Sequence, residues 1–176
     1  MKRGQSGYTL IELLITVAIM AGIGATAAMT INQVSKGTRE SNNSITVVRQ
    51  VQNAGYWISQ DAEKALTVIT ENLTAPDFLV INWLDWNAQG DTIYHTVRYK
   101  IEDLDQGIGT LTRNHWSSDG LNQKTLISGY VYYQPSDSGD TTRVSYSNHE
   151  ITLKLTAIFE NTRESREYTI IRRPTL

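Results

Sequence analysis

The chain has 176 residues, of which 16 are basic and 18 are acidic, so its formal net charge is −2. This mild acidity does not favour nucleic acid or an anionic membrane surface as a partner. The sequence contains no cysteine, which excludes disulfide bonds and thiol chemistry. Its length allows one modest globular domain in addition to a membrane-spanning segment.

The chain opens with basic residues, and a long apolar run follows them. Between Arg3 and Lys36 the only charged side chain is Glu12. Residues 10–31 would form a helix about 33 Å long, which is close to the thickness of the hydrocarbon core of a bilayer. The carboxylate at the head of this segment therefore needs a partner, because an uncompensated charge in lipid is costly.

Two interpretations of this segment involve no assembly. One is a secretory signal peptide cleaved after the small residues 25–27, although Glu12 and the length of the apolar run argue against it. The other is a permanent membrane anchor in which Glu12 acts only locally. Thr9 and Glu12 have the spacing of a capping box, in which each side chain accepts a hydrogen bond from the backbone N–H of the other residue.

The third interpretation is a cleaved and assembled filament subunit. A short basic leader ending in Gly7 is followed by an aromatic residue, by Thr9-Leu10-Ile11-Glu12 and by an apolar helix. This stretch resembles the N-terminus of the type IV pilin and pseudopilin family. The combination of leader, glycine, acid position and span length favours this interpretation over the other two.

The resemblance implies both processing and assembly. A prepilin peptidase would cut between Gly7 and Tyr8 and methylate the new amine of Tyr8, a position where the family more often has phenylalanine. Glu12 would then neutralise the amine of a neighbouring subunit. The implied partners are the peptidase, other pilin or pseudopilin subunits, an inner-membrane assembly platform and, before assembly, membrane lipid. The implied location is the cytoplasmic membrane, crossed once with the head on the extracytoplasmic side, before incorporation into a pilus or pseudopilus.

After a polar segment at residues 36–43, apolar residues recur at steps of three or four. The spacing predicts one face of an amphipathic helix, formed by Val47, Val51, Ala54, Ile58, Ala62, Ala65 and Ile69. We expect one long helix from about Thr9 to Thr70, which ends before Pro76 with Asn72 near its C-cap.

Strand patterns follow Pro76. Apolar or alternating runs lie at residues 78–83, 93–101, 111–116, 125–133, 151–159 and 168–172. Turn-like sequences separate them at 117–120 and 135–140. Strands that follow one helix predict an α+β fold with an antiparallel sheet packed on the helix. The expected divisions are a leader at 1–7, a transmembrane half of the helix at 8–35, an amphipathic half at 36–72 and a β-rich head at 77–176.

Aromatic residues of the head are candidates for core or for partner contacts. We predict that Trp83 and Tyr130 lie in the core. Trp86 and Trp116 remain open between core packing and a partner surface, where aromatic residues are enriched.

The order of elements in the head is also similar to that of one group within the family. Residues 49–52, 58–62, 97–99, 111–113 and 127–133 resemble the J-type minor pseudopilin of type II secretion and similar minor pilins. The resemblance implies a minor structural subunit of a type IV pilus or a type II secretion pseudopilus. The alternative, from a different class, is a permanently anchored protein with an extracytoplasmic binding or sensing domain.

Patterns typical of enzymes are missing from the sequence. His95, His115 and His149 are widely spaced, and neither a paired-histidine zinc motif nor a nucleophile elbow occurs. We therefore predict no catalytic residue, no metal ligand and no cofactor. Arginines near the C-terminus alternate with glutamates, so nucleic acid is not an expected partner.

Two acidic segments contain candidate ligands for calcium. Carboxylates lie close to glycine turns in two segments, which suits oxygen coordination, but neither segment completes the twelve-residue calcium loop. The candidate ligands are Asp103, Asp105, Asp137 and Asp140.

Overall fold

The first element is a 54-residue helix, α1 (Leu10–Glu63). It is seen in a computed structural model that describes residues 9–136 and 139–172. The chain divides into two compact units, with the boundary between Asn42 and Asn43. The first unit contains the apolar part of α1, and the second contains the rest of α1 together with the strands.

Within the described residues, eight strands follow α1 and form one sheet. They are β1 (Thr67–Ile69), β2 (Asp77–Trp86), β3 (Thr92–Asp105), β4 (Ile108–Ser117), β5 (Asn122–Tyr132), β6 (Arg143–Ser147), β7 (Glu150–Phe159) and β8 (Thr162–Ile171). All the strand pairs are antiparallel, and the spatial order is β1-β2-β3-β4-β5-β7-β6, with β8 paired to β7. The predicted α+β class is confirmed.

The core of the second unit lies between α1 and one face of the sheet. The predicted apolar stripe of the helix is buried from Val47 to Ala65. On the sheet, alternate residues of each strand face this stripe, because successive side chains of a strand point to opposite faces. The fully buried ones include Leu79, Ile81, Val97, Tyr99, Leu111, Ile151, Leu153 and Leu155.

The helix ends earlier than expected. It stops at Glu63 rather than near Thr70, and Thr67–Ile69 forms β1. The backbone N–H of Leu66 already donates to the carbonyl of Asn82, so the chain joins the sheet at once. The run of β-branched residues from Thr67 to Thr70 favours a strand over a helix. The last residue of the predicted stripe, Ile69, is consequently 43% exposed.

Two side chains of α1 close part of an open edge of the sheet. Strand β5 pairs with β7 only at Val131, which leaves backbone groups of β5 without a neighbouring strand. Asn53 donates to the carbonyl of Ile127 at 2.7 Å, and the backbone N–H of Gly129 donates to the side-chain oxygen of Gln50 at 2.9 Å. The helix therefore replaces strand partners at this edge, where unpaired backbone groups are costly.

The strand predictions are confirmed in outline, with three differences. Strands β1 and β6 were not predicted, and β8 begins at Thr162 rather than near residue 168.

Tyr130, which the sequence predicted to lie in the core, is 36% exposed. Ile127 and Val131 point inward on β5, so alternation turns Tyr130 to the other face, where its ring lies 4.6 Å from that of Phe159. Trp83 is buried as predicted.

Candidate functional site

The N-terminal turn of α1 forms the capping box that the sequence predicts. The backbone N–H and the hydroxyl of Thr9 both donate to Glu12 Oε2, each at 2.9 Å. In return, the backbone N–H of Glu12 donates to the Thr9 hydroxyl oxygen at 3.4 Å. The carboxylate therefore satisfies donors that every helix leaves unpaired at its N-terminus. Its negative charge also lies at the positive end of the helix dipole.

The residues after Glu12 provide an apolar surface around the whole helix. Among the described residues, α1 is the one helix long and apolar enough to cross a membrane. The side chains of its apolar part are exposed. Exposed apolar side chains on every face are typical of a helix that is surrounded by lipid or by other helices.

Threonines inside this apolar segment bond to their own helix. The hydroxyls of Thr16 and Thr30 donate to the carbonyls four residues earlier, at 2.7 and 2.9 Å. The hydroxyl of Thr26 donates to the carbonyl of Ile23 at 2.9 Å. All three hydroxyl groups therefore have a hydrogen-bond acceptor within the helix. This matters in lipid, where an unpaired polar group is costly.

The predicted processing residues, Gly7 and Tyr8, lie outside the described residues, so the structure does not describe the proposed cleavage site.

The calcium candidates are dispersed. Asp103 lies where β3 leaves its regular register with β4, and Asp105 ends β3 just before a tight hairpin turn. Gln106 and Gly107 in that turn have φ values of 49° and 83°, as two-residue hairpin turns require. Asp140 pairs with Lys154 at 2.7 Å. Asp137 lies outside the described residues, and no group of three or more potential ligands occurs among those that are described.

A buried ion pair between Asp61 and Arg113, which the sequence patterns did not predict, joins α1 to the sheet. Arg113 on β4 donates from Nε to Asp61 Oδ2 at 2.7 Å and from Nη2 to Oδ1 at 2.8 Å. Tyr99 on β3 donates its hydroxyl to the same Oδ2 at 2.5 Å. The Arg113 guanidinium also lies 5.1 Å from the centre of the Trp57 ring. The charges are therefore matched, and both carboxylate oxygens accept hydrogen bonds.

Burial and charge act on this network together. Burial raises the pKa of Tyr99, and the negative charge of Asp61 raises it further, so the phenol stays protonated and donates. For Arg113, burial acts to lower the pKa, but the hydrogen bonds and charge of Asp61 outweigh it and the pKa is raised. The sequence did contain a signal for this site, because Asp61 stands three residues after Ile58, which is the spacing of the buried stripe.

Two histidines that are widely spaced in the sequence lie side by side in the sheet. Nδ1 of His95 on β3 is 3.1 Å from Nε2 of His115 on β4, although twenty residues separate them in the chain. The Trp83 ring packs against both imidazoles. No sequence motif marks this pair, because the register of two strands brings it together.

Comparisons with known proteins identify the N-terminal segment. The family model described as "Prokaryotic N-terminal methylation motif" matches residues 2–29. No curated protein and no solved structure matches the chain. The matched segment contains the capping box and most of the apolar run. The chain therefore carries the prepilin-type N-terminal signal of type IV pilin-like proteins.

Proposed function

We propose that this protein is a minor structural subunit of a type IV pilus or a type II secretion pseudopilus, cut by prepilin peptidase between Gly7 and Tyr8. The observation that carries the proposal is a single carboxylate, Glu12, at the head of an otherwise uncharged apolar helix within a methylation motif. In this proposal the helix crosses the cytoplasmic membrane once, and the head lies on the extracytoplasmic side.

Glu12 has one role before assembly and a second role after it. In the membrane, its hydrogen bonds from Thr9 satisfy the carboxylate locally. Cleavage would create a positive amine at Tyr8, only four residues away, and the same would hold for every neighbouring subunit. Pairing of this carboxylate with a neighbour's amine removes two uncompensated charges as the helices leave the lipid. Breaking such a buried pair costs about 3–5 kcal/mol.

The head is suited to move with its helix. The Asp61–Arg113 pair, the Tyr99 hydrogen bond and the two β5 edge contacts hold the sheet on residues of α1 within the second unit. A force applied to this part of the helix would therefore reach the sheet through buried polar contacts as well as through the apolar core. Such a connection fits a subunit that an inner-membrane platform extracts from the membrane and adds to a filament.

The minor-subunit role rests on the resemblance of sequence segments in the head to J-type minor pseudopilins and minor pilins.

The charge pairing of Glu12 can be tested directly. The Glu12→Gln variant keeps the hydrogen-bonding groups of a capping box and removes the charge. We expect it to insert into the membrane normally but to be depleted from filaments assembled with its partner subunits. Glu40→Gln is the matched control, because Glu40 is an exposed acid on the same helix.

The alternative is a permanently anchored protein with an extracytoplasmic binding or sensing domain. Filament incorporation of Glu12→Gln equal to that of the unmodified chain would contradict the charge-pairing mechanism. If the unmodified chain and the Glu12→Gln variant were both absent from filaments and both retained the leader, the anchored alternative would be favoured.

A further inference from the structure

Trp83, His95 and His115 form a small aromatic cluster on the sheet, next to the residue that follows the end of α1. Tyr99 on β3 contacts Asp61, in the last turn of the helix. His95 lies on the same face of β3, four residues before Tyr99 in the chain. Both His95 and its neighbour His115 are only partly buried, so solvent reaches this end of the face.

The two imidazoles are held in place by packing. The Trp83 ring stacks on His95 with a centroid distance of 5.0 Å and an interplanar angle of 10°. It lies 5.2 Å from His115, and the two histidine rings are themselves 5.3 Å apart. All three residues are on adjacent strands of one sheet, so their backbones are fixed by the strand register.

We propose that His95 and His115 form a two-nitrogen chelating site for a divalent transition metal of the imidazole-binding class, with Cu²⁺ the preferred ion. Imidazole nitrogens bind such metals at about 2.0–2.1 Å, which places two adjacent ligands roughly 3.0–3.4 Å apart. The observed separation of Nδ1 and Nε2 is 3.1 Å. Solvent would complete the coordination shell on the exposed side.

Binding requires a change of tautomer and a rotation of the imidazoles that turns both nitrogen lone pairs toward the metal rather than toward each other. In the hydrogen-bonded pair, one of the two facing nitrogens carries the hydrogen and donates the hydrogen bond, and the other is its acceptor. For both to coordinate, that proton moves to the other nitrogen of the same ring, with no net release.

The charged groups around the pair come from three elements. Arg113 is compensated by its ion pair with Asp61. The Lys64 ammonium lies 5.8 Å from the centre of the Trp83 ring, just after the end of α1. Asp119, in the turn after β4, has a lowered pKa, mainly through the hydrogen bond from Ser117 and to a smaller extent through His95. This carboxylate places a negative charge within electrostatic range of His95.

The test is a titration of the full chain in detergent micelles with CuCl₂. Binding is monitored by tryptophan fluorescence and by electron paramagnetic resonance. We expect one site, quenching of tryptophan emission, and a spectrum with coupling to two nitrogens. His95→Gln and His115→Gln should each weaken binding by roughly tenfold or more, equivalent to about 1.4 kcal/mol. CaCl₂ should not compete, because calcium prefers oxygen ligands.

His149→Gln is the matched control, since His149 lies elsewhere and contacts Arg172. Its Cu²⁺ titration should equal that of the unmodified chain. The proposal would be overturned if His95→Gln and His115→Gln bound Cu²⁺ as tightly as this control. It would also be overturned if the spectrum of the unmodified chain showed no coupling to two nitrogens, a result that does not depend on how the variants fold.

Discussion

Asp61 and Arg113 form a two-point ion pair between the last turn of α1 and the middle of β4, with both side chains almost completely buried. Their separation of 52 residues makes this contact a long-range link between helix and sheet. Because two oppositely charged groups were removed from water together, loss of either one leaves the other without compensation.

The first prediction concerns this pair. Arg113→Met and Asp61→Leu should each lower the free energy of unfolding of the head by about 3–5 kcal/mol, because each leaves one buried charge unpaired. The double variant should lose less than the sum of the two, because it leaves no unpaired charge. Chemical unfolding of the full chain in detergent, followed by tryptophan fluorescence, measures all three. Strictly additive losses would contradict the assigned coupling.

A surface ion pair provides the contrast. Lys124 contacts Glu102 at 2.8 Å, but its side chain is 60% exposed. Lys124→Ala should therefore cost less than about 1 kcal/mol. The pKa of Glu102 is lowered, first by the hydrogen bond from Lys124, so the folded carboxylate holds its proton less tightly than the unfolded one.

The direction in which the stabilisation from this surface pair changes with pH follows from the lowered pKa of Glu102 in the folded state. The small stabilisation from Glu102 is present above its ordinary pKa of 4.5 and is lost as the pH falls below that value. The difference in stability between Lys124→Ala and the unmodified chain should accordingly stay constant from pH 7 to about pH 5 and shrink as the pH falls from there to about pH 3. A difference that grew over this range would contradict the assignment.

The third prediction concerns a close approach of β8 to the helix. A Cβ added at Gly55 would lie 2.6 Å from the hydroxyl oxygen of Tyr168, and that hydroxyl donates to the carbonyl of Val51. Gly55→Ala should destabilise the head by about 1–3 kcal/mol through overpacking, although alanine is the better helix former.

Two further variants test the cause. Tyr168→Leu combined with Gly55→Ala should recover part of the loss, because it removes the atoms that the new methyl group meets. Gly129→Ala is the control, since nothing lies within 4 Å of a Cβ at that position. Equal losses in Gly55→Ala and Gly129→Ala would show that steric overlap with Tyr168 is not the reason.

The fourth prediction concerns the open edge of β5. Gln50→Ala removes the acceptor of the Gly129 N–H, so hydrogen exchange at that amide should become faster. The exposed neighbour Gln52 serves as the control, and its replacement by alanine should leave exchange at Gly129 unchanged. Mass-spectrometric hydrogen exchange on the peptide that contains Gly129 measures the effect. Unchanged exchange in Gln50→Ala would contradict the role given to this side chain.

The parts of the fold that the sequence predicted are those where one local pattern dominates. The spacing from Val47 to Ala65 defined the buried helix face, and Thr9 and Glu12 defined the helix start. The end of the helix was predicted too late because β-branched residues fit the stripe spacing but pair with β2 instead. The Asp61–Arg113 and His95–His115 contacts depend on packing between distant segments. The local spacing places Asp61 on the buried face of the helix, but it does not identify the partner on the sheet.

The most direct test of the proposed function is the intact mass of the chain after expression with an active prepilin peptidase. We predict loss of residues 1–7 and a mature chain that begins at Tyr8 and carries one added methyl group. A working form that keeps its leader, or one that begins at Ala28, would contradict the proposal.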